Sequence, residues 1–144
     1  MEYYYIEEVR EAIEAADEAI ERLQAAQREL DNAGNWGLLD MFGGGLFTTM
    51  LKHSRIDAAK EEIEAARSAI KRFKDELEDV GKNLTLDIDI SGFATFADYF
   101  FDNIFTDVFI QSKISDAKRQ VEEAIYQIRE IKRELNFLLS EAEI

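Results

Sequence analysis

The sequence predicts an all-α protein, a bundle of three long helices in a single domain spanning residues 1–144. No proline occurs in the chain, so no residue withholds a backbone N–H from a helix. Apolar residues recur at steps of three and four in three long runs, as they do in coiled-coil helices. With 47% hydrophobic residues, the chain has enough apolar side chains to form one solid core.

The first long helix is expected over about residues 3–32, within a leading segment 1–34. Gly34 should end it, because glycine readily adopts the left-handed conformation that follows many helices. Charged residues surround the apolar positions, so we expect this helix to bury one narrow stripe. The expected stripe consists of Ile6, Val9, Ile13, Ala16, Ile20, Leu23 and Leu30.

Residues 35–45 interrupt the helical pattern and include the glycine run Gly43, Gly44 and Gly45. Glycine reaches backbone angles that other residues avoid, and the neighbouring apolar side chains predict a packed turn rather than a solvated linker. A second helix with a coiled-coil-like seam is then predicted over about residues 46–80.

Residues 84–90 alternate between apolar and polar side chains, which predicts an extended segment within a crossover at 81–92. A short helix near 94–102 and a last long helix over about 104–142 should follow. The crossover can span roughly 45 Å, against about 50 Å for the second helix. We therefore favour a second and a last helix that are parallel, with the first antiparallel to both. An up-down-up bundle with a local loop is the alternative.

The chain also shows an internal duplication: shifted by about fifty-eight residues, segment 36–56 falls on segment 94–114. The duplication predicts two related turn-and-helix units, 35–80 and 93–144. The identical positions pair Asp40 with Asp98, Phe42 with Phe100, Phe47 with Phe105, Thr48 with Thr106, Ser54 with Ser112 and Ile56 with Ile114.

His53 is the only histidine and lies in the seam of the second helix, where Gln111 is its counterpart in the duplication. Imidazole and carboxylate groups brought together can bind a divalent metal. They can also form a hydrogen-bonded polar layer that fixes helix register, which is the interpretation we favour. The candidate ligand or metal residues are Asp40, His53, Asp98, Asp107 and Gln111.

Composition limits the classes of function. A net charge of -14 argues against binding to nucleic acid or to anionic lipid. The chain has no cysteine, which excludes thiolate chemistry and disulfides. Neither a signal-peptide pattern at the start nor an apolar run of membrane-spanning length is present, so we expect a cytoplasmic protein.

Two strings, NWGLLDMFGGGLFTTMLKHSRIDAA and FADYFFDNIFTDVFIQSKISDA, occupy residues 35–59 and 96–117, and the resemblance that they carry covers roughly residues 30–125. They resemble a family of small, uncharacterised helical bacterial proteins found among the Firmicutes, which carry similar paired motifs. The resemblance implies a bacterial, cytoplasmic protein and implies no activity, cofactor or catalytic residue.

The sequence therefore predicts a non-enzymatic interaction or scaffold bundle that self-associates. Its expected partner is a second copy of the chain, in a homodimer, or another protein. The alternative is a bundle that binds a small ligand or a metal through the candidate residues above. An enzymatic role ranks third, because no nucleophile–base pair or metal-ligand motif stands out.

Overall fold

The computed structural model describes the backbone of residues 2–43, 46–82, 90–104 and 114–142, and the side chains of 5–32, 57–81, 92–100, 102 and 114–141. This part of the chain is entirely helical, which confirms the all-α prediction. The helices are α1 (Glu2–Gly43), α2 (Leu46–Lys82), α3 (Ile90–Ile104) and α4 (Ile114–Ala142).

Helix α1 continues through Gly34 to Gly43, so the predicted helix end at Gly34 and the predicted turn over 35–43 are wrong. A glycine inside a helix costs only about 1 kcal/mol. The residues around Gly34 and Gly37 include good helix formers such as Leu38 and Leu39, so nothing there forces the helix to stop. The last two residues of the predicted turn, Gly44 and Gly45, lie outside the described residues.

Two further boundaries differ from the prediction. Helix α3 is longer than expected at both ends, and Ile104 is its last residue rather than the first residue of the last long helix. The last helix is α4 (Ile114–Ala142), which ends where the prediction ended it; residues 105–113 of the predicted helix lie outside the described residues. The extended segment predicted over 84–90 lies outside the described residues, except for Ile90, which begins α3.

Helices α1 and α2 form an antiparallel pair. The Arg72 guanidinium donates a hydrogen bond of 2.6 Å to the Glu18 carboxylate, and the side chains of Glu76 and Glu11 are also hydrogen-bonded. Moving forwards along α2 from Arg72 to Glu76 therefore means moving backwards along α1.

Helix α4 is also antiparallel to α1, on the other side of it. The Lys132 ammonium lies 2.5 Å from the Asp17 carboxylate, and the Lys118 ammonium lies 2.8 Å from Asp31. Asp17 precedes Asp31 on α1, whereas its partner Lys132 follows Lys118 on α4. Helices α2 and α4 are therefore parallel to each other and antiparallel to α1, which is the arrangement favoured from the sequence.

Helix α3 closes the bundle on the side away from α1. The rings of Phe73 on α2 and Phe93 on α3 pack edge to face with centroids 5.3 Å apart, and α3 also packs against α4. Among the described residues, no Cα atom of α1 comes within 8 Å of α3, and none of α2 comes within 8 Å of α4. The four helices therefore form a ring in which α1 and α3 occupy opposite corners.

The core is apolar throughout: within the described residues, no polar or charged side chain is buried. The predicted seams of α2 and α4 are confirmed where side chains are described, for example at Ile63 and Phe73 on α2 and at Val121 and Ile128 on α4. These positions face the centre of the ring, which is what their steps of three and four require.

Helix α1 buries a wider face than the narrow stripe that was predicted. Ile13 and Ile20 are only partly buried, and alanines take the central positions. The physical reason is that α1 contacts two helices, α2 and α4, and small side chains let both backbones approach. The fully buried residues of α1 are Val9, Ala12, Ala15, Ala16, Ala19, Leu23, Ala26 and Leu30.

Replacing a buried alanine of α1 should destabilise the bundle through overpacking. We expect Ala19→Leu to lower the free energy of unfolding by about 1–3 kcal/mol, measured by urea denaturation followed by circular dichroism. Ala25→Leu, at a partly exposed position of the same helix, is the matched control and should change stability by less than about 0.5 kcal/mol. Equal losses in the two variants would contradict the close approach at Ala19.

Candidate functional site

Asp98 is the one predicted site residue whose side chain lies within the described part of the chain. It is exposed on α3, and its carboxylate lies 3.6 Å from the Lys74 ammonium on α2. Lys74 is within one turn of Arg72, which pairs with Glu18 of α1. Asp40 lies about six turns further along α1 than Glu18, so the structure does not bring Asp98 and Asp40 together.

The other predicted site residues are placed only in part. Asp40 and Gly43 lie on the last turns of α1, and His53 lies on the first turns of α2, towards the end where these helices join. Their side chains, together with Gly44, Gly45, Asp107 and Gln111, lie outside the described residues. The described residues contain no group of three carboxylate or imidazole side chains arranged to hold a metal ion. The metal site and the polar layer both stay predictions.

An open groove of about 430 Å³ lies between α3 and α4. Phe96 and Tyr99 line it from α3, and Tyr99 is 64% exposed. Three polar side chains of the α4 wall have partners: the Arg119 guanidinium lies 3.6 Å from Asp116, and Glu123 accepts a hydrogen bond from a neighbouring glutamine. This groove therefore combines an aromatic wall with a polar wall whose charged side chains are paired within α4.

A second open groove, of about 420 Å³, lies between α2 and α3 and is rich in basic residues. Arg67, Lys71 and Lys74 follow one another at steps of four and three, so they share one side of α2. We call this the basic groove. Its nearby carboxylates are Glu64, 3.8 Å from Arg67, and Asp98.

Helix α1 carries a row of glutamates, again at steps of four and three, which we call the acidic stripe. Glu18 and Glu11 of the stripe interact with α2, whereas Glu14 and Glu21 are exposed to solvent. The two sides of α2 therefore meet different charges: glutamates of α1 lie on one side, and the basic residues of α2 itself line the groove on the side of α3. The acidic stripe consists of Glu7, Glu11, Glu14, Glu18 and Glu21.

Neither row of charges was singled out from the sequence. Both are visible there as steps of four and three in like charge, which is the signal that would have found them. Which groove each row lines depends on the order of the helices around the bundle, and a single helix pattern does not contain that order.

Carboxylates meet at the junction between the acidic stripe and α2. Burial raises the pKa of Glu76 above its ordinary value, and the negative charges of Glu11 and Asp79 raise it further. The positive charge of Arg72 lowers it, and the hydrogen bond with Glu11 raises it. The net result is a raised pKa, so the folded protein binds a proton at Glu76 more readily than the unfolded chain does.

This raised pKa has a defined effect on stability. Since the folded-state pKa exceeds the unfolded-state value, the stabilisation is fully present below the unfolded value and is lost as the pH rises through the folded value. We expect Glu76→Gln to raise the melting temperature at pH 7 and to reduce the gain in stability on acidification towards pH 4.5, the ordinary value. Thermal denaturation across this pH range measures both effects.

Glu78→Gln is the matched control, because Glu78 lies on the exposed surface of the same helix and the substitution removes the same charge. It should leave the pH dependence close to that of the wild type. A melting temperature at pH 7 that falls in Glu76→Gln, or rises equally in both variants, would contradict repulsion at this site.

No helix within the described ranges is long and apolar enough to cross a membrane. No protein-family model matches the chain, and no curated protein or solved structure matches it either. The resemblance to helical proteins of the Firmicutes, and the bacterial and cytoplasmic origin that it implies, therefore stay predictions.

Proposed function

We propose that the chain is a non-enzymatic interaction or scaffold protein that associates with further copies of itself. The observation that carries this proposal is a set of large aromatic side chains left on the surface. Tyr99 and Phe137 are each 64% exposed, and Tyr126 is 60% exposed. We call these three residues the aromatic face.

Two residues of the aromatic face, Tyr126 and Phe137, lie on α4, and the third, Tyr99, lies on α3. Tyr126 and Phe137 lie about three helical turns apart, at nearly the same angle around α4. Tyr126 borders the groove between α4 and α1, whereas Tyr99 borders the groove between α4 and α3. Aromatic side chains therefore flank α4 on both sides.

Aromatic side chains at the surface favour protein contact over small-molecule chemistry here. Tyrosine and phenylalanine are enriched at the centres of protein interfaces, where each buries a large apolar area at little cost in side-chain entropy. The grooves beside them are open to solvent, unlike the enclosed pockets typical of small-molecule sites. A second copy of the bundle is the partner that we propose for this face.

The proposal is tested by sedimentation velocity and native mass spectrometry over a range of protein concentrations. We expect a dimer or larger assembly, and we expect the double variant Tyr126→Ser, Phe137→Ser to raise the dissociation constant at least about tenfold, because buried aromatic side chains dominate interface energies. Circular dichroism should show unchanged helicity, since both side chains are exposed.

Asn136→Ser is the control, because Asn136 is also exposed on α4 but lacks an aromatic ring. It should associate like the wild type. A wild-type protein that stays monomeric at every concentration would overturn the proposed function.

A further inference from the structure

We propose that the basic groove is a docking site for the acidic stripe of α1 from a second copy of the chain. This inference rests on the proposed self-association and adds a second surface to it. It specifies the orientation in which two copies meet, with the stripe of one copy seated against α2 and α3 of the next.

The two lysines of the basic groove are held less tightly than the basic residues of α2 and α4 that pair with α1. Arg72, Lys118 and Lys132 each bind a carboxylate across helices at 2.5–2.8 Å. In the groove, Lys74 lies 3.6 Å from its carboxylate, and Lys71 makes no ion pair with any described residue. The groove therefore offers positive charge to an incoming partner.

The acidic stripe offers the complementary charge at the same spacing. Glu14 and Glu21 are exposed and make no ion pair with any described residue. They lie seven residues apart, about 10 Å along α1. Arg67 and Lys74 are likewise seven residues apart along α2. Two helices laid side by side can therefore match these charges over two turns.

The acidic stripe cannot reach the basic groove of its own chain. Helices α1 and α3 occupy opposite corners of the ring, so the stripe of a given chain lies away from the groove between α2 and α3 of the same chain. A stripe that docks in the groove therefore comes from another molecule. Such a contact joins two different surfaces, so each dimer still has one unoccupied stripe and one unoccupied groove. Further copies can therefore add to form a longer chain, or the assembly can close into a ring.

Because the whole molecule is strongly acidic, a second copy meets the least electrostatic repulsion at the basic groove. Two molecules that each carry a net charge of -14 repel at most orientations. An orientation that places the stripe over the groove replaces like-charge repulsion with attraction. Exposed ion pairs are individually weak, so their main effect here is to select the orientation and to increase the rate of association.

The test uses two charge-reversed variants of the full chain. The groove variant carries Lys71→Glu and Lys74→Glu, and the stripe variant carries Glu14→Lys and Glu21→Lys. Alone, each presents like charges on both surfaces, so we expect the concentration for half-assembly to rise about tenfold. Mixed together, the variants present opposite charges again, and assembly should return to the wild-type range in sedimentation velocity.

A chain that carries all four reversals is the control for net charge, because its net charge equals that of the wild type. In this chain the substituted groove positions are acidic and the substituted stripe positions are basic, so the two surfaces still attract each other. It should assemble like the wild type. The stripe variant is four charges less negative, so simple repulsion between molecules predicts stronger assembly, whereas docking in the groove predicts weaker assembly. Lys71→Ala and Glu14→Gln repeat the test with milder changes should a reversed variant lose helicity.

The outcomes separate the two proposals. Weaker assembly of each variant, with recovery on mixing, supports the docking site. Assembly of both variants at the wild-type concentration overturns the docking site and leaves the proposed self-association standing. A wild-type chain that does not associate overturns the self-association, and the docking site with it.

Discussion

The described structure depends on the close packing of α1 against two neighbours at once. Its buried face is built mainly from alanines, which allow the α2 and α4 backbones to approach from two sides. Larger residues at these positions would separate the helices and open voids along the core. No Cα atom of α2 comes within 8 Å of α4 among the described residues, so the relative position of these two helices is set by α1 on one side and by α3 on the other, each of which packs against both.

Charges then select one register among those that the alanine face permits. Asp17 and Glu18 are adjacent on α1, yet Asp17 reaches Lys132 on α4 and Glu18 reaches Arg72 on α2. Exposed ion pairs contribute only about 0–1 kcal/mol each, so burial of the apolar faces supplies most of the stability. The pairs have their effect by disfavouring shifted alignments, in which Arg72, Lys118 and Lys132 would lose their carboxylate partners on α1.

Much of the fold was predictable because it is local. The seams of α2 and α4 follow from residue spacing alone, and the direction of the helices follows from how far a connecting segment can reach. The end of α1 was not predictable in this way, since Gly34 weakens a helix without stopping it. The wider buried face of α1 depends on having two neighbours, and no pattern within one helix contains that information.

The candidate site was less predictable than the fold for the same reason. Asp98 was matched to Asp40 by duplication, yet in the structure its carboxylate belongs to the groove beside Lys74. Segment 36–56 spans the end of α1 and the beginning of α2, whereas segment 94–114 covers the later part of α3 and the first residue of α4, with 105–113 outside the described residues. The duplication itself stays a prediction.

Because α1 packs against both α2 and α4, its two faces can be covered only at different times during synthesis of the chain. The α1–α2 pair closes a short connection and can form as soon as residue 82 has emerged from the ribosome. The contacts of Asp17 and Asp31 with α4 must wait for residues 114–142. During that interval the α4-facing side of α1 has no cover, and the nascent hairpin presents an apolar strip to chaperones and to neighbouring chains.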